Sequence, residues 1–408
     1  MVSFLEALQI ATSLSPTTRT HTLPLFKSYD HIITQDIKAT KSLPPFDNSA
    51  MDGYAIMLDD YGSTCVCDGS IFAGDNATHI TLTKGHTYKV MTGAMIPQHT
   101  QAIVQFEWTK DNGTAVQIPA SDCLQSIKAG QNIRFKGEEI APDSILLRKG
   151  QRLNHLDVSI LASQGISAIE SFTPLKIGIF SSGDEVIEPH QKAAPHQIYN
   201  TNATSLYTLL TQRGYQCSYE GILADDMNAL CGKIEQFTQY DVAITSGGAS
   251  VGDADLIKTA LQAQGARFLF DGINVKPGRH LSCAMLKDTL IILLPGNPLA
   301  LLLHTHTFVL SVLESLQGGR AIYPKSLTLK LSHDVKLKPN TTNMLLGNIQ
   351  NDTFLLYNNG KIGSSSLVNM WKNNAIALFE STHTFSQGTA IKVIPYNADF
   401  CDIMDYMN

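Results

Sequence analysis

The sequence predicts a multidomain protein with α/β and β parts: a central α/β domain with a mostly parallel sheet, a β-rich region before it and a small all-β domain after it. Three observations predict this. From about residue 174 to 316, short apolar runs alternate with helical patterns, the rhythm of strands and crossover helices in a parallel sheet covered on both faces. From about 53 to 125, the runs are strand-like and closed by turn signals. Past about residue 320 the helical signals vanish and short strands follow one another. The length of 408 residues suggests about three domains. With 43% apolar and 16% charged residues there is material for several packed cores, which excludes a wholly disordered chain.

The elements follow in order. Residues 1–45 begin with a helical stretch, FLEALQIAT, and become extended before Pro44-Pro45. YAIML, STCVC, HTYKVM, AIVQFEW and TAVQI read as strands, and Asp111-Asn112-Gly113 is a hairpin turn between the last two. Leu153, Leu156, Val158, Ile160 and Leu161 give residues 151–170 a helical pattern. PLKIGIF is then a strand, and Asn202 to Arg213 a helix stopped by Gly214. Residues 216–223 form a strand, Asp226 to Phe237 a helix, and DVAIT a short buried strand running into SGGASVGD. A helix over 254–264 ends at Gly265. FLFDGINV and TLIILL are strands, and Leu299 to Leu316 is a long helix. Gly318-Gly319 marks a boundary, after which LTLKL, FLLY, AIALF and AIKVI are strands and Asn358-Asn359-Gly360 is a turn.

Composition narrows the function. With 36 acids against 30 bases the net charge is −6, which speaks against a protein that wraps nucleic acid. The seven cysteines are scattered, odd in number and without a CxxC pair, so neither a zinc ribbon nor a disulfide framework is expected. The first ten residues lack a basic region and contain Glu6, unlike a signal peptide. The most apolar stretch, Pro298 to Leu313, is interrupted by His304 and His306 and falls short of the ~20 apolar residues of a spanning helix. A reduced, cytoplasmic protein is expected.

The candidate chemistry gathers at strand ends. In open α/β sheets, ligands bind beyond the carboxyl ends of the strands. Ser246, Gly247, Gly248, Ser250 and Gly252 follow a buried strand and open a helix, so backbone N–H groups and the helix end can cradle a phosphate. Pro295, Gly296, Asn297 and Pro298 repeat that geometry: a turn, a capping residue and a proline at the first helical position. Glu185 and Asp184, Asp225 and Asp226, and Asp253 and Asp255 bring carboxylates to the same edge. Asp226 is the better helix cap, which leaves Asp225 as the ligand of its pair. So many carboxylates would repel a phosphate unless a divalent cation, Mg²⁺ above all, bridges them. Lys276 and Arg279 in VKPGRH add positive charge. PPFDNSAMDGYAI and MTGAMIP are unusual loops outside the α/β domain. Asp52 there could bind metal or act as a base, and Thr92 offers a hydroxyl. His304 and His306, two apart on a helix, face different ways and are read as structural or surface residues and not as a metal pair.

PPFDNSAMDGYAI, MTGAMIP, SSGDE, IYNTNATSL, DVAITSGGASVGDAD, VKPGR and LPGNP occur in the order found in molybdopterin molybdenumtransferases. The chain resembles these MoeA proteins and the E domain of gephyrin over about residues 5–400. The resemblance implies insertion of molybdenum from molybdate into adenylylated molybdopterin with release of AMP, assisted by Mg²⁺. It implies an elongated homodimer, with the site in a cleft between the α/β domain of one subunit and the β-rich domain of the other. It implies four subdomains: a discontinuous 1–45 plus 136–173, a β-rich 46–135, a MogA-like α/β molybdopterin-binding domain over 174–318, and a C-terminal β-barrel over 319–408.

By the same resemblance Asp52, Thr92, Glu185, Asp225, Asp255, Lys276 and Arg279 are the catalytic set, and Glu185, Asp225 and Asp255 the metal ligands. Arg279 stands where lysine is commoner in the family, keeping the charge and adding a planar fork. The upstream adenylyltransferase and recipient molybdoenzymes become candidate partners. Two other readings are a molybdopterin adenylyltransferase, whose relatives lack the MDGYA segment and the barrel, and a molybdopterin-binding scaffold, for which no fused domain or long linker speaks.

Overall fold

The computed structural model describes residues 1–120, 128–224, 226–247, 256–360, 367–380 and 384–396. The chain divides into two compact units: Met1–Thr34 with Lys149–Asn154 and Ala168–Asn408, and Gln35–Arg148 with His155–Ser167.

The larger unit is built on a six-stranded sheet. Its order is Gln216–Leu223, Lys176–Ser182, Val242–Ser246, Thr289–Leu294, Ser282–Leu286 and Arg267–Asp271. The first four strands run parallel and the last two are antiparallel additions at one edge. The central strands are apolar on both faces because both are covered. Val242, Ile244, Leu290, Ile292 and Leu294 face one core with Leu206, Leu210 and Phe308. Ala243, Ile291 and Leu293 face the other with Leu230, Ile234, Phe237 and Leu261. Each fully buried Val, Ile or Leu contributes about 1.5–3 kcal/mol, so these alternating faces fix the strand register.

Helix ends obey local chemistry. Asn200 caps Thr201–Gln212 by accepting from the Ala203 N–H, and Asp226 caps Met227–Phe237 by accepting from Ala229. Asn297 caps the helix that Pro298 opens. That helical run, Pro298–Leu316, has 19 residues and a mean hydropathy of 1.5, so by length and composition it could cross a membrane, contrary to its reading from the sequence. It is 72% buried inside its own unit, where it forms the core. Thr305–Val309 within it is a π turn.

Five elements differ from their sequence reading. FLFDGINV is not one strand: Arg267–Asp271 stops at Gly272, whose φ of +73° turns the chain before the short Val275–Lys276 strand. Residues 151–170 are helical only over His155–Ser163 and then pair as the strand Ala168–Phe172. Ser282–Leu286 and Thr342–Gln350 are strands that periodicity does not announce. A short helix, Leu367–Trp371, lies within the otherwise β C-terminal part.

That C-terminal part closes on itself. Leu327–Leu331 pairs with Thr353–Leu356, which pairs with Thr342–Gln350. Thr342–Gln350 pairs with Ala375–Phe379, then Ala390–Pro395, and back to Leu327–Leu331. The result is a five-stranded barrel with no free edge. Val275–Lys276 adds in parallel to Thr342–Asn343, joining the α/β layer to the barrel.

The smaller unit holds a second six-stranded sheet, ordered Ala102–Gln105, Gly53–Ile56, His86–Val90, Thr64–Ile71, Ala115–Gln117 and Lys110–Asp111. The Asp111–Gly113 turn is present, with Gly113 at φ +96° donating to the Asp111 carboxylate. Gly53 shows how tight this sheet is. A β-carbon there would lie 2.3 Å from the Val104 carbonyl oxygen and 2.8 Å from Ile103 Cγ2. Gly53→Ala is therefore expected to cost about 2 kcal/mol or more through overpacking. An unchanged urea midpoint would contradict the packing described.

Candidate functional site

In the larger unit, the carboxyl ends of the parallel strands open into a cavity of about 410 Å³. Ser181, Ser182, Glu185, Ser246, Gly247 and the Pro295–Pro298 turn line it. Two glycines make the corner possible. Gly247 has φ +92°, and a β-carbon there would sit 2.7 Å from the Ser182 carbonyl oxygen. A β-carbon on Gly296 would come within 3.2 Å of the Gly247 Cα. The two glycine turns therefore pack backbone to backbone, and the Gly247 N–H donates to the Leu294 carbonyl at 3.2 Å.

The remaining wall comes from the IYNTN segment. Asn202 Nδ2 donates to the Gly296 carbonyl at 2.8 Å, while its buried Oδ1 has no partner among the described residues. Ser181 Oγ donates to Asn200 Oδ1 at 3.0 Å, and Asn200 Nδ2 donates to Tyr219 Oη at 2.7 Å. The Tyr219 hydroxyl donates in turn to Glu188. Burial and that carboxylate hold its proton on well above the ordinary tyrosine range. Ser182 Oγ is likewise buried without a partner among the described residues. Such orphaned polar atoms suit a polar ligand that would complete their bonds.

Glu185 is exposed at the cavity mouth, its carboxylate folded over Gly183. Asp225, Gly248, Ser250, Gly252 and Asp255 lie outside the described residues, so Glu185 is the one described member of the expected metal set. Among the described residues no three His, Cys, Asp or Glu side chains gather as a metal site. The expected donors are nonetheless all carboxylate oxygens, the hard ligand type that Mg²⁺ takes.

A second cavity of about 1000 Å³ adjoins the first, sharing His280, Pro295 and Asn297 with it. Lys276 and Arg279 line it from the α/β side, Lys336 and Lys338 from the barrel. No carboxylate is in its lining, and none of the four cations forms an ion pair among the described residues. Asn343 shapes the barrel wall by donating to the Lys338 and Thr341 carbonyls at 2.9 and 2.8 Å. A chain of net charge −6 thus carries a local cluster of four positive side chains. Such a cleft attracts compact oxyanions. Lys336 and Lys338 were missed in the sequence; their two-residue spacing, which places both on one face of an extended chain, was the available signal.

In the smaller unit Asp52 and Thr92 meet. The Ser49 N–H donates to the Ala94 carbonyl and Gly93 N–H to the Ser49 carbonyl, binding the two unusual loops together. Asp52 Oδ1 then accepts from the Thr92 backbone N–H at 2.7 Å and from its hydroxyl at 2.9 Å. These two bonds, with Lys89 nearby, hold the Asp52 carboxyl below the usual range. A carboxylate so stabilised is a better fixed anion than a proton acceptor. His304 and His306 are both buried and belong to the core of the larger unit.

Residues 2–165 match the family described as the MoeA N-terminal region (domain I and II), and residues 178–315 that described as "Probable molybdopterin binding domain". The chain is similar to the molybdopterin molybdenumtransferase of Haemophilus influenzae, 34% identical over 311 residues that cover 74% of each. Its counterpart from Nostoc is 29% identical over 391 residues, 92% of this chain and 88% of that protein. The crystal structure of the molybdopterin biosynthesis MoeA protein of Pyrococcus horikoshii aligns over 97% of this chain and 100% of its own, with a TM-score of 0.82. At 24% identity that likeness carries the fold alone.

Proposed function

Because the chain belongs to the molybdopterin molybdenumtransferase family, a group of transferases in molybdenum cofactor biosynthesis, we propose that it inserts molybdate into adenylylated molybdopterin with release of AMP. The observation that carries this reading is the continuity of two unlike cavities. One is a glycine-cornered pocket lined with hydroxyls and amides, the other a cleft lined by four cations, and they share His280, Pro295 and Asn297.

The roles follow from the chemistry of each wall. The Ser246–Gly247 turn, with Gly248, Ser250 and Gly252 beyond it, and the Pro295–Pro298 turn hold the pterin phosphate and nucleotide. Ser182 and Asn202 offer unsatisfied polar atoms to that ligand. Lys276 and Arg279 bind molybdate, a tetrahedral dianion, with Lys336 and Lys338 opposite them. Holding both substrates in adjoining pockets supplies proximity, and fixed cations stabilise the charge that develops when the phosphoanhydride is attacked. Glu185, Asp225 and Asp255 would hold Mg²⁺, which supplies Lewis acidity toward phosphate oxygens. Asp52, fixed by Thr92, serves as a charged orienting group. A homodimer in the cytoplasm, receiving its substrate from an adenylyltransferase and passing its product to molybdoenzymes, completes the reading.

The test is AMP release from adenylylated molybdopterin in Mg²⁺ buffer, with and without molybdate. Release that depends on molybdate is expected. Adenylylation of free pterin from ATP would instead favour the adenylyltransferase reading, and neither reaction would favour a scaffold.

A further inference from the structure

The loop that carries Lys276 and Arg279 rests on a buried histidine. His304 is fully buried in the Pro298–Leu316 helical run. Its Nε2 lies 2.8 Å from the carbonyl oxygen of Gly278, which sits between the two cations. A carbonyl can only accept, so Nε2 carries the proton and the imidazole donates. Nδ1 is buried with no partner among the described residues. Burial holds the ring neutral, lowering its pKa to about 4.

The contact is close in shape as well as in hydrogen bonding. Gly278 has φ +91°, and a β-carbon there would lie 2.4 Å from His304 Nε2 and 3.1 Å from the Ala300 β-carbon. Ala300 and His304 are one helical turn apart on one face, and together they form a seat that only glycine fits. Ala300 itself lines the cationic cleft. The π turn Thr305–Val309 begins directly after His304, and such turns in helices are frequent at functional sites. Neither a buried ring with one unsatisfied nitrogen nor a π turn is needed to fill a core that leucine would fill.

We propose that His304 is a positioning residue for the oxyanion: it holds the Lys276–Arg279 loop through the Gly278 carbonyl and so sets affinity for molybdate without touching it. This rests on the reading of the cationic cleft as the molybdate site.

The test compares His304→Leu, which fills the space without a donor, with His304→Gln, whose amide can still donate, and with Lys276→Ala. AMP release from adenylylated molybdopterin is followed against molybdate concentration. His304→Leu is expected to raise the half-saturating molybdate concentration about tenfold, with kcat and the half-saturating pterin nucleotide within about twofold. His304→Gln should stay within about threefold of the parent for molybdate. A merely structural histidine would move all three parameters together, or leave molybdate unaffected in the leucine variant; either result overturns the proposal. If Lys276→Ala leaves the molybdate dependence unchanged, the cleft reading itself fails, whatever the histidine variants do. Should the leucine variant not fold, the ¹⁵N imidazole spectrum of the unsubstituted protein decides. A slowly exchanging Nε2–H at His304 is expected, and an Nδ1–H tautomer would overturn the proposal.

Discussion

Glu185→Ala and Asp52→Asn are each expected to lower molybdate insertion by about 10²-fold or more, the scale of losing one preorganised charged group at a reacting centre. Neither should disturb the fold. Glu185 is exposed, and its carboxylate has no side-chain partner among the described residues. Its removal empties no core and orphans no donor. Asp52 accepts two bonds from Thr92 through a single oxygen. Asparagine keeps that oxygen as an acceptor and removes only the charge. The melting temperature should therefore stay within about 2 °C in both variants, since exposed single substitutions cost little. Full activity in both would contradict the roles assigned to them. A large fall in melting temperature would instead show that their loops depend on these side chains.

Acid should weaken the larger unit from about pH 6.5 downward, through two buried histidines. His304 and His306 both have pKa values lowered to about 4 by burial. His304 faces the Gly278 carbonyl; His306 packs on the Tyr396 ring and is further disfavoured as a cation by Arg213. An unfolded chain takes up a proton at each ring near pH 6.5, whereas the folded chain refuses it until about pH 4. Between those limits the unfolded state binds more protons, so stability falls as the pH is lowered through that window. The loss approaches about 3 kcal/mol per histidine at its lower end. Asp52, Asp111, Asp271 and Asp352 have lowered carboxyl pKa values, so their contribution persists to below the ordinary range and disappears only at more acid pH. Urea midpoints measured between pH 7.5 and 4.5 should fall steeply in the parent and less steeply in His304→Gln. A flat profile over that range would contradict the burial of both rings.

Much of this architecture is legible in the sequence because local and tertiary signals agree. Residues 242–244 and 290–294 are unbroken apolar runs, as a strand covered on both faces needs, and they lie in the central strands. Asp226 and Asn297 announce their helix starts by residue type and cap them as expected. Elements were missed where tertiary context overrode pattern. Thr342–Gln350, the hub of the barrel, contains Asn343, Gly347 and Asn348 and has no clean alternation. A glycine is required at 347 because a β-carbon would meet the Leu355 carbonyl at 2.4 Å. The site shows the same division. The glycine turns and Asp52–Thr92 follow from sequence motifs, and the structure brings each set together within its own unit. The barrel lysines become visible only when Val275–Lys276 pairs with Thr342–Asn343, more than sixty residues away, and closes the cleft. The sequence reads His304 only as structural or surface, because spacing along a helix says nothing of a carbonyl on another segment.

The most direct measurement is reconstitution of an apo-molybdoenzyme by the purified protein supplied with adenylylated molybdopterin, Mg²⁺ and micromolar molybdate. The account predicts enzyme activity only when all components are present, with AMP released in step. Equal reconstitution without the protein, or from unadenylylated pterin with no release of AMP, would contradict it.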